Sequence, residues 1–506
     1  MRPWNSFSLP LLATLACAQA SRQEAFAGSS SAYHPTHVSS SIELGGSLTR
    51  STTSYQLARA AGREGENWVI GIRHGGKTGG WVEATQGKGA KKAKLALLPV
   101  GDKDDLIYYS LALSPPITTN DAKTTVTIST VLSHASVPKP EILPQNAESI
   151  YMLWEGDLLA PLAGLSSEEK SKIEEVKVRV KTPTPRVLSA REPEGFSVAH
   201  AQGSAMVTFS SKGSVADLPP QIAALHYQQP EAIASIRTLD RIVELSHWGS
   251  NLAIQDNIEL ANSGPALEGH FARIDHQKAG MMRRQNSLAI TSLSITLPAN
   301  AHSPYYYDSV GNVSTSRFRP STSPSSSSGS GILPSQKKRI NTKPSPALLE
   351  LQPRYPLLGG WNFSFTVGYD LPLQDWLKVR KSSSRPKYVA AVPFLTPIKD
   401  ISVDKVRLEI RLPEGARNVR AISPYPVEEE PLKTVKTYLD SIGRPTVVME
   451  KTGCTDRHGE SVLIEYDLPF LSDLLQKPLA CASVLSSIFL IVIAMRRVSF
   501  GIDGGK

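Results

Sequence analysis

Val406-Arg407-Leu408-Glu409-Ile410-Arg411-Leu412 places an apolar residue at every second position and a charge between each pair. Side chains alternate faces along a strand, so this pattern describes a strand with one buried and one wet face. The same period returns in Thr124–Val131, Val176–Lys181, Ala289–Leu297 and Val462–Tyr466. Helical periodicity is weaker, with one short candidate at Ser166–Glu175, and 37 prolines interrupt other runs. The chain therefore reads as mainly β. Two successive β-sandwich-like domains are expected, 21–240 and 241–473, meeting somewhere around residues 230–250. No internal repeat is evident in the sequence. Residues 320–346, rich in serine and proline and followed into Lys337-Lys338-Arg339, carry too little apolar surface to offset their ordering entropy. They are expected to form a disordered insert in the second domain.

The ends set the topology. Met1-Arg2-Pro3-Trp4, a mostly apolar run from Phe7 to Ala18, and Ala18-Gln19-Ala20 make up a secretory signal peptide, residues 1–20, with cleavage expected after Ala20. Near the other end, Pro478 to Met495 contains no charge, and Arg496-Arg497 follows at once. At 1.5 Å per residue this stretch covers roughly 27 Å, close to a bilayer core. A single transmembrane helix is expected over 474–495. The paired arginines then put 496–506 in the cytosol and the rest in the lumen, a type I arrangement. Within the span Ala482 and Ser486, like Ser483 and Ser487, stand four apart on one face, a spacing that suits close helix approach as well as simple tolerance of serine.

Of three cysteines, Cys17 leaves with the signal peptide and Cys481 lies in the span. Only Cys454 remains, so no disulfide can form within the mature lumenal part, and hydrophobic cores must hold it. The formal charge of +9 is spread along the chain without a basic stripe or a nucleic-acid module, so no nucleic-acid partner is expected.

Candidate chemistry is sparse. Gly71-Ile72-Arg73-His74-Gly75-Gly76-Lys77-Thr78 fits the phosphate-loop pattern, which needs a helix start after the loop. Gly79-Gly80-Trp81-Val82 is a poor one. Cys454 and His458, with Asp456 and Glu460 nearby, lack the further ligands a zinc site requires. His247, His270 and His276 are scattered among Trp248, Phe271 and Arg273 and read as structural. No catalytic, cofactor-binding or metal residue is assigned, and no cofactor is expected. Two N-x-[ST] acceptors, Asn312-Val313-Ser314 and Asn362-Phe363-Ser364, are the site residues expected to carry glycans, Asn312 being the better candidate because it lies beside the insert.

Three blocks resemble ribophorin I. The first is Glu244-Leu245-Ser246-His247-Trp248-Gly249-Ser250-Asn251 with Gly269-His270-Phe271-Ala272-Arg273. The second is Tyr305-Tyr306-Tyr307-Asp308-Ser309-Val310-Gly311-Asn312-Val313-Ser314-Thr315-Ser316. The third begins Pro353-Arg354-Tyr355-Pro356-Leu357-Leu358-Gly359-Gly360-Trp361, continues through Val367–Pro372 and Leu412–Ala416, and closes with Tyr438–Pro445. A weaker likeness extends upstream through Trp154-Glu155-Gly156-Asp157, so the resemblance covers most of the mature chain.

The resemblance implies a non-catalytic subunit of the oligosaccharyltransferase complex of the endoplasmic reticulum membrane. That complex transfers a preassembled glycan from dolichyl pyrophosphate to Asn in N-x-[ST] acceptors. The implied partners are the other subunits, including the catalytic multi-spanning one, together with nascent glycoprotein substrates and the membrane. The chemistry belongs to another subunit, so no catalytic residue is carried over. The insert departs from the family pattern. The nine residues after Arg497 are also too few for the ribosome contact of animal relatives. The competing expectation is a non-catalytic subunit of another membrane complex of the same organelle, such as the lipid-anchor transamidase.

Overall fold

The computed structural model describes residues 33–59, 67–73, 80–87, 92–103, 106–114, 123–201, 203–212, 221–281, 288–321, 345–380, 387–437, 440, 442–469 and 476–497. The signal peptide, nearly all of the insert, His74–Thr78 and the tail beyond Arg497 lie outside them. The described chain is mostly strand, with a few short helices and one long apolar helix near its end.

Two hydrophobic cores carry the body. One is built from residues between Tyr33 and Ile233, joined by Leu288, Ala289 and Leu358; the other spans Ile236 to Leu468. The chain passes between them in the four residues that separate strand Ile222–Gln229 from strand Ala234–Ser246. Residues 240 and 241 fall inside that second strand.

The two halves share one topology. In the first, an eight-stranded sheet runs Ser197–His200, Met206–Lys212, Glu175–Lys181, Tyr33–Gly45, Leu48–Arg59, Thr124–Ser133, Gly80–Gln86, Ala93–Leu95. In the second, the order is Glu428–Glu429, Arg444–Cys454, Ser402–Arg411, Ala234–Ser246, Asn251–Asn262, Asn362–Pro372, His302–Asp308, Gly311–Asn312, with Lys433–Val435 added beside Arg444–Cys454. Each position corresponds, including the one parallel pairing that each hairpin makes with a later strand. The smaller sheets correspond too. Val187–Ala190, Ile222–Gln229, Ile150–Asp157 and Ser136–Pro138 match Arg417–Ile422, Ser461–Asp467, Lys387–Pro393 and Leu377–Arg380 in order. Even a bulge recurs, between Pro35 and His37 in one hairpin and between Ile236 and Thr238 in the other. The strand-built body is thus a structural duplication that its sequence does not display.

Local patterning explains most strands. Val176, Val178 and Val180 are all buried while Lys177 and Arg179 are not, as period-two alternation requires. Ser402–Arg411 buries Val406, Leu408 and Ile410 in the same way. Two stretches differ from expectation. The helix at Ser166–Glu175 is only Ser167–Ser171, capped by Ser166 and Glu169 in a reciprocal box. It stops because Glu174 donates its backbone N–H to Thr36 and the next residue opens a strand. Ala289–Leu297 is a strand only from Leu293 to Leu297; Ala289 instead packs into the first core. In the chain the insert lies between two paired strands, Ser316–Arg319 and Ala347–Leu351. The corresponding strands of the first half, Leu97–Lys103 and Leu106–Ala112, follow each other closely.

Candidate functional site

Asn312 sits on an edge hairpin of the nine-stranded sheet. The strand His302–Asp308 turns back through Ser309 and Val310, and Asn312 lies directly across from Tyr307. The turn is held from within. Asp308 accepts the backbone N–H groups of Val310 and Gly311 at 2.9 and 3.1 Å, and the Arg354 guanidinium pairs with its carboxylate. Arg354 also donates to the carbonyls of Gly311 and Asn312. That partner holds the Asp308 carboxyl below the usual carboxylate range. The Asn312 side chain is exposed, on the face it shares with Tyr307.

Asn362 also faces solvent, but from the first residue of a strand that is paired along its length with Asn251–Asn262. Its amide is engaged: in the orientation that satisfies both ends, its nitrogen donates to Trp361 O at 3.2 Å and its oxygen accepts from Arg237 Nη1 at 2.9 Å. The two acceptors therefore share one outer sheet face and differ in how far the backbone and neighbours already hold them.

The remaining candidates are structural. Gly71 lies in strand Asn67–Arg73, and a Cβ there would stand 2.8 Å from Gly164 Cα, so this glycine permits close backbone packing. The next described element after the match is strand Gly80–Gln86, with no helix to receive phosphate. His458 Nδ1 accepts the Thr455 backbone N–H at 3.0 Å, and its ring stands edge-on to Trp81 and Tyr425 at 5.1 and 5.0 Å. Burial, with a smaller push from Lys451, takes its pKa down to about 4, so it is neutral in the core. Cys454 is fully buried, and burial raises its thiol to about 12, so it is no thiolate ligand at neutral pH. His247 shares a 2.7 Å hydrogen bond with the Tyr466 hydroxyl, His276 packs beside Phe271, and His270 is exposed. Among the described residues no group of three His, Cys, Asp or Glu side chains is placed to hold a metal.

The two halves are joined by more than the chain. Arg50 reaches across to Asp400 at 2.6 Å and Asp456 at 2.8 Å, His134 meets Asp404 at 2.8 Å, and Ser47 Oγ accepts the Ser402 N–H. Trp81 of the first half packs against the second core. Short strands Ile142–Leu143 and Ala266–Leu267 add a parallel pairing, extended by reciprocal bonds between Gln145 and Ala272.

Beyond strand Ser461–Asp467 comes the helix Gln476–Arg497, two residues later at each end than the sequence suggested. Its 20 residues from Pro478 to Arg497 are long and apolar enough to cross a membrane, and none is buried against the body. Two of its serines bond back to the helix's own carbonyls: Ser483 Oγ to Ala480 O and Ser487 Oγ to Ser483 O, each at 2.8 Å.

Sequence reasoning missed three features that organise this architecture. The Tyr305–Tyr307 pair beside Asn312 was visible as alternation, since residues two apart share a strand face. The Arg354 clamp joins residues 46 apart, and the buried Arg241–Asp256 pair of one hairpin reaches on to Pro393 and Leu395, so no local signal marks either.

Among the described residues, a large strand-built body joined to one apolar helix defines a class, the β-rich protein with a candidate membrane span near its end. The chain belongs to the ribophorin I family, whose match runs over residues 34–496. A Caenorhabditis elegans protein named dolichyl-diphosphooligosaccharide–protein glycosyltransferase subunit 1 is 28% identical over 413 residues, covering 81% of this chain and 63% of that protein. An Arabidopsis thaliana protein named subunit 1A of the same transferase is 29% identical over 432 residues, covering 83% of this chain and 62% of that protein. The match thus spans less than two thirds of either relative's length. Among solved structures, native yeast LTA4 hydrolase aligns with 42% of this chain and 31% of its own at 10% identity and a TM-score of 0.25, too slight a likeness to bear on the fold.

Proposed function

We propose that this chain is a non-catalytic subunit of an oligosaccharyltransferase, the complex that moves a preassembled glycan from dolichyl pyrophosphate to Asn in N-x-[ST] acceptors. The observation that carries the reading is membership of the ribophorin I family across nearly the whole described chain, with relatives named as subunit 1 of that transferase. Its role is structural and substrate-presenting. Its partners are the other subunits, among them the catalytic multi-spanning one, and nascent glycoproteins.

In this reading the chain is a type I protein of the endoplasmic reticulum membrane. Arg496 and Arg497 close the membrane helix on the cytosolic side, and the two strand-built repeats stand in the lumen. The repeats divide at 230–233, between the last strand of the first repeat and the first strand of the second. Asn312 and Asn362 carry glycans, and Asn312, on its exposed edge hairpin, is the more completely occupied.

Affinity capture of the tagged chain from mildly solubilised membranes tests the assignment. Co-purification of the multi-spanning catalytic subunit is expected; recovery of lipid-anchor transamidase subunits in its place would end the reading. Protease treatment of intact microsomes tests the orientation, since a C-terminal tag should be digested while the strand-built body is protected.

A further inference from the structure

Two tyrosines lie beside Asn312 in an arrangement that its own turn does not require. Tyr305 and Tyr307 leave the same face of the edge strand with rings only 13° from parallel and centroids 6.1 Å apart. Both remain open to solvent, at 44% and 39% exposure. Tyr305 extends over Gly368 of the next strand, where any Cβ would stand 2.0 Å from the ring. Its hydroxyl donates to Gln255 Oε1 at 3.2 Å. Register places Asn312, Tyr307, Thr366 and Asn257 in one row across four strands. Strands lie about 4.8 Å apart, so a chain of two sugars leaving Asn312 has the reach to cover Tyr307 and Thr366.

We propose that Tyr305 and Tyr307 form a resting platform for the first N-acetylglucosamine units of a glycan on Asn312. The inference rests on the reading that Asn312 is glycosylated. A pyranose presents a face of C–H groups that packs on an aromatic ring, while its hydroxyl and acetamido groups need polar neighbours at the rim. The rings supply the first requirement. Thr366 and Asn257, already bonded to each other at 2.9 Å, supply the second. The occupant is identified by adjacency, because a sugar on Asn312 begins one strand spacing from the Tyr307 side chain. The clamped turn of Asp308 and Arg354 fixes where that sugar starts. A glycan lying along this row covers the outer face of the sheet, which turns partner subunits toward the other surfaces of the body.

The test uses the full-length glycoprotein in detergent, with native-state release by an endoglycosidase that cuts between the first two sugars. Mass spectrometry of the Asn312 glycopeptide reports occupancy separately. The Tyr305→Ser, Tyr307→Ser double variant should release its Asn312 glycan about three- to ten-fold faster than the natural chain, the scale of one lost aromatic contact. Tyr305→Phe with Tyr307→Phe keeps both rings and should release slowly. An occupied Asn312 whose glycan leaves at one rate in all three proteins overturns the platform alone. An unoccupied Asn312 overturns both the platform and the glycosylation on which it rests.

Discussion

Arg241 and Asp256 face each other across one hairpin, entirely buried, with Nε to Oδ1 at 2.6 Å and Nη2 to Oδ2 at 2.8 Å. Arg241 then donates to the carbonyls of Pro393, the last residue of strand Lys387–Pro393, and of Leu395 just beyond it, and Thr396 bonds to Asp256 at 2.9 Å. Burial alone would pull the guanidinium pKa down; Asp256 reverses this and leaves it above its ordinary value. The equivalent positions in the first repeat are Ser40 and Thr53, paired across their hairpin at 3.1 Å and also buried. There a neutral bond, Tyr55 Oη to Pro161 O at 2.9 Å, ties the layers. One site in the duplicated fold is polar in both copies and charged in only one.

Breaking that pair on one side should be severe. Asp256→Leu leaves an uncompensated guanidinium in the core and is expected to cost about 3–5 kcal/mol. Adding Arg241→Met removes the stranded charge, although it orphans two carbonyls. Denaturant melts of the full chain should show the double variant more stable than Asp256→Leu alone; a double variant equal to the sum of both singles would deny the coupling.

The buried His458 sets a pH dependence. Its folded pKa of about 4 lies below the ordinary 6.5, so the unfolded chain binds its proton first as pH falls. The stability it contributes is complete above pH 6.5 and is lost on descending toward 4, by about 2 kcal/mol between pH 6.5 and 5. His458→Asn keeps an acceptor for the Thr455 N–H without the titration. Melting curves across that window should therefore fall less steeply for the variant, and equal slopes would refute the assignment.

Between the repeats, packing should outweigh charge. Arg50 keeps about a third of its side chain in water, so Arg50→Ala is expected to cost no more than about 1 kcal/mol. Trp81 bridges from the first repeat to Tyr425 and His458 of the second, and Trp81→Ala is expected to cost roughly 2–3 kcal/mol through lost apolar burial. Thermal melts of the two variants, compared at one pH, rank the contributions; the reverse ranking would mean that the ion pairs hold the halves together.

The glycine of the phosphate-loop match has a packing role. Gly71→Ala would press a methyl onto Gly164, backbone against backbone, and is expected to destabilise by about 1–3 kcal/mol. Nucleotide added to the natural chain should leave its melting temperature unchanged. A rise with added nucleotide would restore the phosphate-binding reading.

The β character and the membrane helix were legible because both depend on local periodicity. Val176, Val178 and Val180, or the uncharged run before Arg496, announce their environment without help from distant residues. The duplication was hidden because topology constrains only which positions are buried and paired. Ser40 and Arg241 occupy one equivalent place with unlike side chains, and the paired strands that follow each other closely in one repeat are separated in sequence by the serine-rich insert in the other. The surroundings of Asn312 were half legible. The acceptor motif and the tyrosine alternation are local, whereas Arg354 meets Asp308 only through a fold that brings positions 46 residues apart together.

Depletion of this chain, read out by the mobility of a reporter glycoprotein with several N-x-[ST] acceptors, tests directly whether it serves N-glycosylation. Under-glycosylated bands are expected while lipid-anchored reporters are processed normally. Full glycosylation after verified depletion, with no paralogue in its place, would contradict that role.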